Sequence, residues 1–161
     1  MMNKMITASN FIFIFMLVLL LLNGCATQPY GSFIQNPSIV YSKVMADGVA
    51  AQIVRLYPAA NTQFNLRHAV NDPFGKALIE NLRLEGFAVQ EVIQQSIQQQ
   101  IFAAPHQPDT ESQKGLALSY IVDQSGDLYH VKLMIDDMRL SRAFLVQADS
   151  IHPAGLWVRK E

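Results

Sequence analysis

LALSYIVDQSGDLYHVKLMIDDMRLSRAFLV, residues 116–146, is the stretch that decides the fold. Leu116, Leu118, Tyr120 and Val122 alternate with Ala117, Ser119 and Asp123, and Tyr129, Val131, Leu133 and Ile135 alternate again against His130 and Lys132. Successive side chains of a strand point to opposite faces, so this period of two predicts strands with one buried face. Gln124-Ser125-Gly126-Asp127 between the two runs is turn chemistry, and Asp136-Asp137 makes a second tight turn. Met138 to Val146 continues as a third strand. Ser150 to Gly155 then breaks the chain, and Leu156 to Arg159 forms a terminal strand around Trp157. Hairpin-linked strands in series predict an antiparallel sheet.

Upstream the period changes. Ser38 can cap a helix in which Tyr41, Met45, Val49, Ile53 and Leu56 recur at steps of four, four, four and three, with Gly48 inside and Pro58 at its end. Thr62 to His68 places Phe64 and Leu66 on one side of a short strand. Asn71-Asp72-Pro73 starts a second helix, with Asp72 as cap and Pro73 at the first helical position. Phe74, Ala77, Leu78 and Leu82 share its inner face, Gly86 supplies a left-handed C-terminal cap, and Phe87 to Val92 leaves as a strand. Residues 93–114 open with Gln94, Gln95, Gln98, Gln99 and Gln100 and carry Pro105 and Pro108. Ile93, Ile97 and Ile101 allow a short amphipathic helix there, a glutamine-rich loop being the equal alternative, and 105–114 reads as an exposed linker. The expected architecture is a single α+β domain over 38–161, two helices packed on a mainly antiparallel sheet, with a Gln/Pro-rich loop at about 93–114.

The N-terminus reads as an address. Phe11 to Leu22 is an unbroken apolar run of twelve, and Lys4 is the only charge before residue 43. Twelve helical residues span roughly 18 Å, short of a ~30 Å hydrocarbon core, so a signal peptide fits better than a membrane-spanning helix. The only cysteine follows at once, in Leu22-Asn23-Gly24-Cys25, an arrangement that resembles a bacterial lipobox. The expectation is a signal peptide over 1–24, acylation of Cys25, and a lipidated tether over 25–37 (CATQPYGSFIQNP). A single acyl chain holds a protein only marginally, and a diacylglyceryl cysteine clears that threshold. Ala26, not an acidic residue, follows the cysteine. By resemblance to bacterial sorting, that directs the lipoprotein to the outer membrane, with its domain in the periplasm.

Composition narrows the function classes. Half of the residues are apolar and 16% are charged, too hydrophobic for a disordered chain. A net charge of −1 leaves no basic excess to neutralise phosphates, so direct nucleic-acid binding is disfavoured. One cysteine forbids an internal disulfide. His68, His106, His130 and His152 are scattered without ligand spacing and are expected to be solvated or at strand edges, so no metal or cofactor is expected. Gly75-Lys76 lacks the hydroxyl and the upstream glycine of a phosphate loop, and no G-x-S-x-G elbow occurs. Asp136 and Asp137 are explained by a turn. Arg139, Arg142, Arg159 and Lys160 form either a small basic patch or charges that discourage edge pairing. No nucleophile, base and oxyanion site come together, so neither an enzyme nor a small-molecule substrate is expected. Ala143-Phe144-Leu145-Val146 breaks the alternation, so Phe144, Leu145 and Trp157 are candidates for a partner interface, completion of the core being the alternative.

The segments LNGCATQPYGSFIQ, VAAQIVRLYPAANTQF, DPFGKALIENLRLEGFAV, GLALSYIVDQSGDLYHVKLMIDDMRLSRAFL and PAGLWVRKE together resemble the TrbH lipoproteins of conjugal transfer, over nearly all of 22–161. The resemblance implies a component of the type IV secretion (mating-pair formation) apparatus that carries DNA between bacterial cells. It also implies core-complex subunits that form rings as partners, and it assigns no catalytic residues. The competing readings are a stand-alone envelope lipoprotein binding a small ligand or peptidoglycan, and a periplasmic enzyme.

Overall fold

The computed structural model describes residues 30–92 and 115–160. The leader, Cys25, the first part of the tether and the 93–114 segment lie outside the described residues. The elements in chain order are β1 (Gly31–Ser32), α1 (Ile39–Leu56), a 3-10 turn (Ala59–Asn61), β2 (Gln63–Leu66), α2 (Pro73–Leu84), β3 (Ala88–Gln90), β4 (Leu116–Ser125), β5 (Leu128–Ile135), β6 (Met138–Gln147) and β7 (Ser150–Lys160). They build one α+β unit, a seven-stranded sheet in the order β3-β2-β4-β5-β6-β7 with β1 also paired to β4.

Both helices begin where the sequence places them. The Ser38 hydroxyl accepts from Tyr41 N at 3.3 Å, and Asp72 Oδ1 accepts from Gly75 N at 2.9 Å ahead of Pro73. Each cap satisfies an amide that has no partner inside the helix. Gly86, at φ 88°, closes α2, and Phe87 N reaches back to Leu82 O at 2.9 Å. That is a Schellman-type ending, which a residue with a Cβ adopts only under strain.

β4 to β7 form an antiparallel meander, with Leu118↔Ile135, Leu133↔Leu140 and Phe144↔Pro153 in register. The sheet is nevertheless mixed. β2 pairs parallel with both β3 and β4, and β1 pairs parallel with the far part of β4. The β2–α2–β3 segment explains the β2–β3 pair, because a helical crossover returns the chain in the same direction.

The expected break at Ser150 to Gly155 does not occur. The turn is only Ala148-Asp149, both at positive φ (47° and 61°), as a two-residue hairpin of the primed type requires. β7 then runs unbroken through Pro153 and Gly155. An edge strand tolerates both, since one side of its backbone has no ladder to complete. Between Ser141↔Val158 and Ala143↔Ala154 the register shifts, so Gly155 (φ 96°) to Trp157 bulge opposite Arg142.

The core lies between the helices and one face of the sheet. Met45, Val49 and Ile53 of α1 and Phe74, Leu78 and Leu82 of α2 meet Phe64, Leu118, Tyr120, Val131, Leu133 and Phe144, all essentially without solvent exposure. Burying each such apolar side chain contributes about 1.5–3 kcal/mol. Among the described residues, no helix covers the opposite face of the sheet.

Candidate functional site

Two groups of side chains stand apart from the apolar core. The first joins four parts of the chain. Tyr120, from the middle of β4, donates its hydroxyl to Asp72 Oδ2 at 2.5 Å, while Oδ1 of the same carboxylate caps α2. Burial, this hydrogen bond and the carboxylate charge all raise the Tyr120 pKa well above the usual 10, in that order of size. At neutral pH the phenol is therefore a fixed donor, not a proton shuttle. Phe74 packs on the same ring at 5.1 Å, and His68, only 6% exposed, meets it edge-on at 4.6 Å. Tyr30 stacks on His68 at 5.9 Å. His68 Nδ1 lies 3.1 Å from the carbonyl of Ala69, and its buried Nε2 has no hydrogen-bond partner among the described residues.

His68 was expected at a solvated or edge position, and its burial corrects that. The residues after β2 turn inward behind Leu66, which carries the ring under Tyr30 and against Tyr120. In the sequence, Asp72 reads as a cap and Tyr120 as a core residue. Nothing in local spacing pairs residues 48 positions apart.

The second group lies on the helix-free face. A groove of about 480 Å³ has Tyr30, Ile121, Met134 and Val158 in its lining, together with Lys132 of β5, Arg139 of β6 and Lys160 of β7. Among the described residues no carboxylate lines it. Asp123 stands nearby, 3.0 Å from Lys132 Nζ and 3.2 Å from His130 Nδ1. The basic patch expected from Arg139, Arg142, Arg159 and Lys160 is thus divided. Arg139 and Lys160 share the groove with Lys132, whereas Arg142 opposes Val131 on the helix side. Its guanidinium sits 5.7 Å from the Trp157 ring and 5.9 Å from that of Phe144, and its Nε donates to Gly155 O at 3.1 Å.

The interface candidates separate in the same way. Phe144 is fully buried, its ring close against Gly48 of α1. It completes the core and presents no surface to a partner, which corrects the expectation for that residue. Trp157 is half-buried at the margin of the core, and Leu145 is half-buried between Leu128 and His152 in the register. The exposed apolar side chains of the last strand are Leu156 (87%) and Val158 (62%), which the pattern around Trp157 did not single out. Cys25 and His106 lie outside the described residues.

Among the described residues, no three His, Cys, Asp or Glu side chains gather where they could hold a metal ion, and no helix is long and apolar enough to cross a membrane. Asp136 is held by its turn at φ 49°, its carboxylate accepting from Ala117 N at 2.7 Å. Lys76 lies in α2, its amide bonded to Asp72 O.

An α+β domain with helices over one sheet face and a cation-lined groove on the other is the class that fold and site define. Its family follows from comparison. The model of the conjugal transfer protein TrbH matches residues 27–161, and the chain belongs to that family. No match was found among curated proteins or among solved structures.

Proposed function

We propose that this conjugal transfer protein is an outer-membrane lipoprotein that serves as a structural, assembly component of a conjugative type IV secretion apparatus and is not an enzyme. Cys25, acylated after removal of residues 1–24, is its anchor, and ring-forming core-complex subunits are its protein partners. The observation that carries this reading is family membership over 27–161, which begins two residues after a lone cysteine set behind Leu22-Asn23-Gly24. Support for a structural role comes from the polar groups of the interior. Asp72 and Tyr120 satisfy each other and a helix end, leaving the carboxylate tied to structure.

The substitution Cys25→Ser tests the anchor. The expected result is loss of metabolic fatty-acid labelling, an unprocessed precursor at the inner membrane, and a drop in DNA transfer from cells carrying it. Persistent labelling of the Cys25→Ser chain overturns the lipoprotein reading. Unlabelled protein that still supports full transfer overturns the requirement for an anchor.

A further inference from the structure

We infer that the helix-free face of the sheet lies on the membrane surface, with the Lys132–Arg139–Lys160 groove against anionic phospholipid headgroups. This rests on the reading of Cys25 as the lipid anchor and adds an orientation that the anchor alone does not supply.

Two independent observations lead here. The first is reach. Cys25 precedes Tyr30 by five residues, and a chain spans at most ~3.3–3.6 Å per residue, so the Tyr30 backbone stays within about 18 Å of an acylated cysteine. Tyr30 is itself part of the groove lining, and Gly31 and Ser32 are pinned to Ile121 and Val122 of β4. The anchor therefore stays within that distance of the open face. The domain cannot swing far from the bilayer, because the short tether runs directly into the sheet.

The second is charge. Among the described residues the groove lining contains Lys132, Arg139 and Lys160 and no carboxylate. Lys132 is paired with Asp123 at 3.0 Å, which leaves Arg139 and Lys160 as the excess cations, in a chain whose net charge is −1. The outer side of the helices is mixed, with Asp47, Glu80 and Glu85 among Lys43, Lys76 and Arg83. A surface bearing anionic lipid attracts the cationic face, and that attraction acts within about a Debye length, roughly 8 Å at physiological salt. With a reach of about 18 Å at most, the tether lets the face approach to within that range. Exposed Leu156 and Val158 and the half-buried Tyr30 add the apolar and amphipathic side chains that suit the headgroup boundary.

Lysine footprinting of the full, acylated protein tests the orientation. The protein is labelled with an amine-acylating reagent in detergent, in phosphatidylcholine vesicles, and in vesicles containing phosphatidylglycerol. Peptide mass spectrometry then reads each lysine and, separately, the acyl group on Cys25. Lys132 and Lys160 are expected to react at least about fivefold more slowly in the anionic vesicles than in detergent, and to regain reactivity at high salt. Lys43 and Lys76, on the helix side, should not change. With the double substitution R139E/K160E, Lys132 should react in anionic vesicles as it does in detergent. An acylated Cys25 with Lys132 and Lys160 still fully reactive overturns the orientation and leaves the anchor intact. Equal protection in both lipids overturns the assignment to anionic headgroups. Protection found only in native envelopes that contain the secretion subunits assigns the face to a protein and overturns the proposal. An unmodified Cys25 peptide defeats the anchor reading and the orientation together.

Discussion

Asp72 and Tyr120 stand 48 residues apart and share a 2.5 Å hydrogen bond between the N-terminus of α2 and the middle of β4. One carboxylate thereby serves a helix cap with Oδ1 and a buried phenol with Oδ2. This fixes the helix start against the sheet, beside His68 and Tyr30, at the point where the tether enters the domain.

Replacing Asp72 by Ala removes both bonds at once. Loss of the cap costs about 1 kcal/mol, and a buried hydroxyl left without an acceptor adds about 1–3 kcal/mol. Urea unfolding of the chain beginning at Ala26 should show a total loss of about 2–4 kcal/mol. Tyr120→Phe should cost less, about 1 kcal/mol, because it removes the donor and leaves the cap in place. The double variant should be less unstable than the sum of the two, since the carboxylate–phenol bond is counted in both.

The same pair sets an alkaline limit. Tyr120 has its folded pKa raised above the unfolded value near 10, so both states hold the proton at neutral pH and the contribution is fully present there. Above about pH 10 the unfolded chain releases that proton while the folded one keeps it. Stability then falls by up to about 1.4 kcal/mol per pH unit. Thermal midpoints measured from pH 8 to 11 should therefore drop on the alkaline side, and Tyr120→Phe should flatten that drop. An identical slope in both proteins would remove Tyr120 from the explanation.

Local signals in the chain were easy to read because their causes are local. Ser38, Asp72-Pro73 and Gly86 act within one helical turn, and the period of two over 116–135 reports a face that each residue carries itself. The architecture of helices over a mainly antiparallel sheet followed from them. What was not legible depends on distant neighbours. The strand β1 has only two residues, too short to show any period, and although Phe87 to Val92 read as a strand, the parallel pairing of β3 with β2 depends on a distant neighbour. Pro153 and Gly155 read as a break because sequence does not show that β7 is an edge, where both are tolerated. Phe144 read as surplus apolar surface because its cover, the bare backbone at Gly48, comes from α1. The groove cations come from three different strands, so no single stretch displays them.

Two helical glycines should respond in opposite ways to Ala. At Gly75 a Cβ would fall 1.9 Å from the Tyr120 hydroxyl and 2.5 Å from Val70 Cγ1. Neither can withdraw without loosening the Asp72 bond or the core, so Gly75→Ala should cost about 3 kcal/mol or more in urea unfolding. At Gly48 the nearest atom is Phe144 Cζ at 3.4 Å, an ordinary contact, within the regular turns of α1. Gly48→Ala should stabilise by about 0.5–1 kcal/mol through helix propensity. The contrast tests the packing on both sides of the core.

Trp157 and Arg142 give the last prediction. The indole is half-buried on the edge strand, with the guanidinium 5.7 Å from its ring and the Gly155 carbonyl holding Arg142 Nε at 3.1 Å. Removing the indole loses margin packing and a cation–π contact worth about 0.5–1 kcal/mol, while the fully buried Phe144 below it stays covered by α1. Trp157→Ala should therefore keep the circular dichroism of the native domain, with a thermal midpoint lower by only several degrees, about what 1–2 kcal/mol produces in a domain of this size. Arg142→Ala in that background should cost less than in the native chain, because one of its two ring contacts has already gone while those to Phe144 and Gly155 O remain. If Trp157 is also an anchor for a secretion subunit, transfer of DNA and co-purification with that subunit should fall further than this small destabilisation explains. Transfer that tracks the thermal midpoint alone would confine Trp157 to packing. An unfolded Trp157→Ala chain would place it in the core proper.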